Sequence, residues 1–392
     1  MSNREVLLKK LVGNLELPDS AYEKAKSRYE DIGGWLGREQ STCVENEPHI
    51  FPQGSFRLGT AIKPLNANEE YDLDLACNLR TGVSASSHSQ KELKDTIGYE
   101  LEQYRKVRGI TSPLDEKHRC WRLDYADSLS FHMDIVPCIP EDEAQRHSLT
   151  AMMESYGLSR ELAVTAGELA VGITDNRVTD YNHKNADWLI SNPEGYARWF
   201  EHRMMPTKSV RSVFAEAQVD QLPLYKRKTP LQRVVQLLKR HRDKMFLDNP
   251  DSKPISVIIT TIAGNSYTGT ERLEQALSEV ILGVKCFAAS GEHFLANPVN
   301  PEENFADKWS MPNYSHLRLR DNFAIWAAQV ERDVDQIVNL DDMKQLSEAI
   351  DGRFSVKLSD QDISKELGVV AGVGAVSAPH VIHSEPNKPW LE

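Results

Sequence analysis

Between Tyr71 and Leu75 the chain alternates strictly, with Tyr71, Leu73 and Leu75 separated by Asp72 and Asp74. Successive side chains of a strand leave opposite faces, so this pattern predicts a strand with one apolar face and both carboxylates on the other. At a rise of roughly 3.3 Å per residue the two Cα atoms lie about 7 Å apart, close enough to share hard divalent cations. Upstream, Gly54-Ser55 can bring backbone amides and one hydroxyl against a phosphate, because glycine lets the chain approach closely. A phosphate cradle beside a carboxylate pair points to metal-assisted phosphoryl or nucleotidyl transfer. An exposed acidic strand edge would share the alternation, but not the Gly-Ser at this spacing.

Such transfer also needs an acidic group near the attacking hydroxyl. In the run 129–136, Phe131, Met133 and Ile135 form one face and leave His132 and Asp134 on the other. If this strand neighbours the first, Asp134 completes a three-carboxylate cluster. Asp124 and Asp127 compete for that place, although Tyr125-Ala126-Asp127-Ser128 reads as the turn between two strands. His132 reads as a structural or surface residue rather than a ligand, since magnesium prefers oxygen.

With Gly54-Ser55, Asp72-x-Asp74 and Asp134 in place, the chain resembles the DNA-polymerase-β-like nucleotidyltransferase superfamily. Within it, the chain is most similar to the bacterial cGAS/DncV-like nucleotidyltransferases, which make cyclic oligonucleotide signals in antiphage (CBASS) defence. The phrase Phe51-Pro52-Gln53-Gly54-Ser55-Phe56-Arg57-Leu58-Gly59-Thr60 resembles the family's signature loop. Ser191-Asn192-Pro193-Glu194-Gly195-Tyr196-Ala197-Arg198-Trp199-Phe200 is similar to another family segment. A basic helix follows, and Asn297 to Asn304 resembles the late Asp/Asn-Pro…Asn motif.

The resemblance implies an α+β, two-lobed fold: a mixed catalytic sheet with helices, and a mainly helical second lobe closing a nucleotide cleft. It implies catalytic and metal-binding roles for Asp72, Asp74 and Asp134, and nucleotide contacts from Gln53, Gly54, Ser55, Lys239, Ser256 and Asn304. Mg2+ is the implied cofactor, with Mn2+ as the alternative. The implied substrates are nucleoside triphosphates, ATP or GTP foremost, joined into a cyclic di- or trinucleotide with release of pyrophosphate. Implied partners are an effector that reads the cyclic product and an accessory protein acting on the C-terminal tail. Two rivals stay open: transfer of a nucleotide to an RNA end or a protein, and an inactive nucleotide-sensing scaffold.

Thr229-Pro230 opens the basic helix with a capping residue and a proline at its first position, and Leu231, Val234, Val235 and Leu238 form its apolar stripe. Lys239 lies roughly 90° from the centre of that stripe, so it is expected to flank a cleft without entering the core. Residues 226–244 hold eight Lys or Arg against one acid, a basic strip in a protein of net charge −12. Ser256 reads equally as a phosphate contact and as a helix-start hydroxyl. Asn297, Asn300 and Asn304 read equally as pocket residues and as turn and cap residues beside prolines.

The acidic balance disfavours a long nucleic-acid substrate held by phosphate contacts. No apolar run approaches the roughly 20 residues a membrane span needs, so no membrane partner is expected. Five scattered cysteines without a Cys-x-x-Cys pair argue against a zinc site or disulfide framework. With no signal-peptide pattern after Met1, the expected location is the cytoplasm. At 392 residues the chain is long enough for two lobes, divided here as a catalytic core over 1–150, a helical lobe over 151–366 and a flexible tail over 367–392. Strands are expected at 71–79, 119–125 and 129–137. After the catalytic core the helices are expected near 149–156, 193–203, 230–246, 254–265, 271–282, 315–334 and 341–350.

Overall fold

The computed structural model describes residues 3–66, 71–125, 131–205, 228–340 and 342–358. The expected turn at 125–128 falls largely outside these residues, and the expected tail falls wholly outside them.

The chain opens with helices α1 (Asn3–Leu15) and α2 (Asp19–Leu36), then strand β1 (Pro48–Pro52) and the one-turn helix α3 (Gly54–Arg57). Strand β2 (Tyr71–Leu79) follows, then helix α4 (Gln90–Val107) and strands β3 (Asp115–Glu116), β4 (Trp121–Tyr125) and β5 (Phe131–Pro140). Helices α5 (Glu143–Ser155) and α6 (Arg160–Glu168), then strands β6 (Val171–Ile173) and β7 (Leu189–Ser191), lead to helix α7 (Pro193–Met204). Among the described residues beyond α7, the elements are helical apart from one hairpin: α8 (Pro230–Met245), α9 (Ser256–Ser266), α10 (Leu273–Ser290), β8 (Ala296–Asn297), β9 (Asn300–Asn304), α11 (Leu319–Asn339) and α12 (Met343–Phe354). No helix among the described residues is long and apolar enough to cross a membrane.

The main sheet runs β1-β2-β5-β4-β3, and β6 extends it from β5 to β7. Strands β2 and β5 are parallel, and the other pairings are antiparallel. The alternation read from the sequence decides which face is buried. Leu73, Leu75, Phe131, Met133 and Ile135 enter a core closed by Tyr29 and Ile32 of α2 and Ile97 and Leu101 of α4. A capping box between Ser89 and Glu92 starts α4, and another between Thr229 and Gln232 starts α8.

A second core lies among α7 to α12, with Trp199, Phe200, Leu238, Ile259, Phe323 and Trp326 buried in it. Helix α1 joins this core, burying Leu8, Leu11, Val12 and Leu15 against α8 and α10. Helix α1 thus packs with helices from beyond the expected division at residue 150. Its apolar stripe finds a partner in the helical lobe because the catalytic sheet's inner face is already covered by α2 and α4. The architecture is the α+β, two-lobed arrangement expected.

Candidate active site

The face of the sheet opposite its core carries a small grid of polar side chains, set by strand register. Asp72 of β2 stands beside His132 of β5, and Asp74 stands beside Asp134. On the other side of β5, His132 faces Asp124 and Asp134 faces Arg122 of β4. Two rows result, Asp72–His132–Asp124 and Asp74–Asp134–Arg122. In the first, His132 Nε2 is 3.2 Å from Asp72 Oδ1 and its Nδ1 is 3.5 Å from Asp124 Oδ1. In the second, Arg122 Nε and Nη2 each donate to one oxygen of Asp134 at 2.7 Å. Asp134 thus takes the place beside Asp74, while its rival Asp124 sits one strand further out, behind His132.

Gly54 begins the turn that meets this grid. Its φ is +62°, a left-handed conformation, and a Cβ there would lie 2.3 Å from Asp74 Oδ2. Glycine is required on both counts. The Gln53 amide donates to the Asp74 carbonyl at 2.8 Å and its side chain to the Leu75 carbonyl at 3.2 Å. Gln53 is therefore engaged in fastening the loop to β2, and it is not among the residues lining the cleft.

A cavity of about 970 Å³ separates this loop and strand from the helical lobe. Gly54, Ser55, Asp72 and Asp74 line one side, and Lys239, Arg242, Ser256 and Thr260 line the other. Asp134 is not among its lining residues. Lys239 flanks the cleft, as its helical phase leads one to expect. It is only 7% exposed, and its Nζ donates to the Thr60 carbonyl at 3.0 Å, pointing from α8 across to the catalytic loop. Arg242 donates to Ser256 Oγ at 2.9 Å and also holds Asp243. The Ser256 hydroxyl is therefore tied to α8 in the cleft wall, and no side-chain bond caps the start of α9.

Asn304 takes its other reading. Its Oδ1 accepts from the Leu295 and Ala306 amides, and its Nδ2 donates to the His293 carbonyl. Those bonds consume the side chain within the β8–β9 region, so it does not line the cavity. Asn297 does line it, held by Glu303 at 2.7 Å.

The two sides of the cavity carry opposite electrostatic loads. Burial raises the Asp74 carboxyl to about 7, with Asp72 and Asp134 adding to the rise and Lys239 and Arg122 opposing it. Burial lowers Lys239 to about 8; Arg242 adds to the fall, and Asp243, Asp74 and Asp72 oppose it. Among the described residues no three His, Cys, Asp or Glu side chains converge to hold an ion as they stand, Asp134 being turned to Arg122. Asp72 and Asp74 nevertheless offer hard oxygen donors on one face, and a cation there would relieve the carboxylate repulsion that raises Asp74. The donor set fits a hard divalent ion.

One functional element escapes reading along the sequence. Arg57, within the Gly-Ser loop, is buried and forms a fork with Glu194 at 2.8 and 2.6 Å and a further bond to Glu201 at 2.7 Å. Burial alone would lower its pKa, but Glu194 and Glu201 raise it well above the usual value. This clamp ties the catalytic loop to α7 of the other lobe. The only sequence signal was that the two phrases carrying these residues both belong to the resemblance.

Residues 48–137 match the model of the nucleotidyltransferase domain described as cyclic GMP-AMP synthase DncV-like. Over 312 residues the chain is 31% identical to the c-di-GMP synthase of Roseivirga ehrenbergii, covering 78% of this chain and 73% of that protein. The chain belongs to the cGAS/DncV-like nucleotidyltransferases. It is also 24% identical over 328 residues to the cyclic dinucleotide synthase CdnG of Bradyrhizobium diazoefficiens, covering 78% of this chain and 70% of CdnG. The solved structure of CdnG in complex with GTP superposes with a TM-score of 0.64 at 19% identity, covering 94% of this chain and 99% of that one. As a cGAS/DncV-like enzyme, the chain is a nucleotidyltransferase.

Proposed function

We propose that this nucleotidyltransferase joins two nucleoside triphosphates, GTP first among them, into a cyclic dinucleotide signal of CBASS-type defence. The observation that carries the reading is the in-register pairing of Asp74 with Asp134 on parallel strands, beside a loop that only glycine can form. The preference for GTP rests on the likeness to a c-di-GMP synthase across most of the chain.

In this reading Asp72 and Asp74 hold divalent cations, Mg2+ or in its place Mn2+, with Asp134 on the acceptor side. The cations, when bound, neutralise the triphosphate and the charge that develops on the leaving pyrophosphate. Gly54, Ser55, Lys239 and Ser256 bind and orient the phosphates. Asp134 receives the hydrogen bond of the attacking ribose hydroxyl. The hydroxyl gives its proton to Asp134 as its oxygen forms a bond to the α-phosphorus of the other nucleotide, and the bond from that phosphorus to the β-phosphate oxygen breaks to release pyrophosphate. Repeating the transfer within the linear product closes the ring. The reading places the reaction in the cytoplasm and implies an effector for the cyclic product. An accessory protein acting on the C-terminal tail belongs to the same reading.

Incubating the purified protein with each labelled NTP and Mg2+, then with phosphatase, tests this. The expected result is a small phosphatase-resistant product formed from GTP. Label retained on RNA or on protein would overturn it in favour of a macromolecular acceptor. Complete loss of label to phosphatase under every nucleotide and cation combination would leave a sensing scaffold.

A further inference from the structure

Arg122 is a residue to which neither the resemblance nor the charge pattern draws attention. Its position is forced by register: β4 sets it directly opposite Asp134, as β2 sets Asp74 on the other side of β5. The ion pair is not a loose surface contact. Nε and Nη2 engage both carboxylate oxygens at 2.7 Å, with the two side chains 28% and 23% exposed. A carboxylate offers about four lone-pair sites, and this fork takes one from each oxygen. It also fixes the carboxylate plane, leaving Asp134 half of its accepting capacity in a set direction.

We propose that Arg122 is a positioning residue for Asp134, limiting its hold on a divalent cation and fixing the plane in which it meets the acceptor hydroxyl. This rests on the reading of Asp134 as the acceptor-side carboxylate. Three carboxylates with free rotation would compete for cations and draw them toward Asp134. Arg122 keeps Asp72 and Asp74 the stronger pair. A pair whose only role was to fasten β4 to β5 would contribute about 0.2–1 kcal/mol of stability and nothing else.

The test uses the full-length protein with Mn2+ as probe, in the presence of a non-hydrolysable GTP analogue. Free Mn2+ is read by electron paramagnetic resonance, alongside steady-state kinetics with GTP. Arg122→Gln should tighten Mn2+ binding severalfold and lower kcat by about tenfold or more, the loss of one charge-assisted fork, with KM for GTP within about twofold of wild type. Arg122→Lys keeps the charge without the fork, so Mn2+ affinity should return to the wild-type value while kcat stays low. Unchanged Mn2+ affinity and kcat in Arg122→Gln, with at most a lowered Tm, would overturn the proposal and leave the pair a strand fastener. Failure of wild type to bind Mn2+ with the analogue would overturn the metal reading itself, and the role of Arg122 with it.

Discussion

At their centres the two walls of the cleft oppose one another in charge, Asp72 and Asp74 against Lys239 and Arg242, although Arg57 and Lys63 line the first and Asp243 the second, and the walls are unlike in construction. On the sheet wall, burial raises Asp74 to about 7, with Asp72 and, from the neighbouring strand, Asp134 adding to the rise. On the helical wall, α8 buries Lys239 and Arg242 side by side, and Lys239 falls to about 8. Each wall strains against its own charge, and each is only partly relieved by the other across the cavity. A complement to both must carry cations on one side and anions on the other, which describes a metal–triphosphate. Neither wall alone would distinguish that ligand from a simple cation or a simple anion. The clamp of Arg57 on Glu194 and Glu201 joins the two walls.

The comparison breaks most directly at the sheet wall. Asp72→Asn together with Asp74→Asn should abolish cyclic product, a loss of at least about a thousandfold, because both proposed cation-holding groups go. Circular dichroism should remain native, since both side chains leave the face opposite the core. Near wild-type turnover in this double variant would end the reading of that wall as catalytic. The clamp between the walls comes next. Arg57→Ala leaves Glu194 and Glu201 with Arg198, 3.0 and 3.6 Å away, and should destabilise the protein by about 1–3 kcal/mol. Urea denaturation measures it, and a change under about 1 kcal/mol would show that the lobes are held by their apolar cores instead.

The helical wall is probed by Lys239→Ala. Loss of one charge-assisted phosphate contact, worth about 1.5–3 kcal/mol, should weaken GTP binding about 10- to 100-fold and leave guanosine binding nearly unchanged. Calorimetric titration at several salt concentrations should also give a shallower salt dependence for the variant. Equal GTP affinity would mean that Lys239 serves only the Thr60 carbonyl, and the opposed charge of the walls would be a matter of folding alone.

How much of this was legible follows from the range of each interaction. Strands β2 and β5 are legible because a period of two is local, and the alternation puts Asp72, Asp74, His132 and Asp134 on the sheet face opposite the core. The starts of α7 and α8 were legible because Asn192, Thr229 and the prolines after them are local caps. Strand β1 was not, since Pro48-His-Ile-Phe-Pro52 has no alternation and gains its conformation by pairing with β2. The Arg57 clamp spans 137 residues and leaves no periodic trace. The cleft-facing side of α8 is legible from helical phase, but the bond from Lys239 to the Thr60 carbonyl is not, because phase gives an angle and not what packs over it. Asn304 was drawn into the site by its motif, yet its bonds are those of a hairpin. Arg122 pairs with an acid twelve positions away, a contact visible only once β4 lies against β5.

The smallest expected effect tests whether the sheet wall is strained in the way its charges imply. Asp74 has a folded pKa of about 7 against an ordinary 3.8, so the folded state binds its proton more tightly than the unfolded chain does. The stability associated with that proton is fully present below about pH 3.8 and is lost as pH rises through 7, the slope following the difference in bound protons. Above pH 7 the charged carboxylate is therefore a net cost of a few kcal/mol at most, reduced by solvent at the open cleft. Asp74→Asn removes the cost. In EDTA at pH 8 the variant should melt a few degrees above wild type, and at pH 4 the difference should shrink toward zero. Mg2+ with a GTP analogue should reverse the order at pH 8 by stabilising only the wild type. A variant that melts lower than wild type at pH 8 would show that Asp74 is held by favourable contacts, and that only the helical wall carries strain.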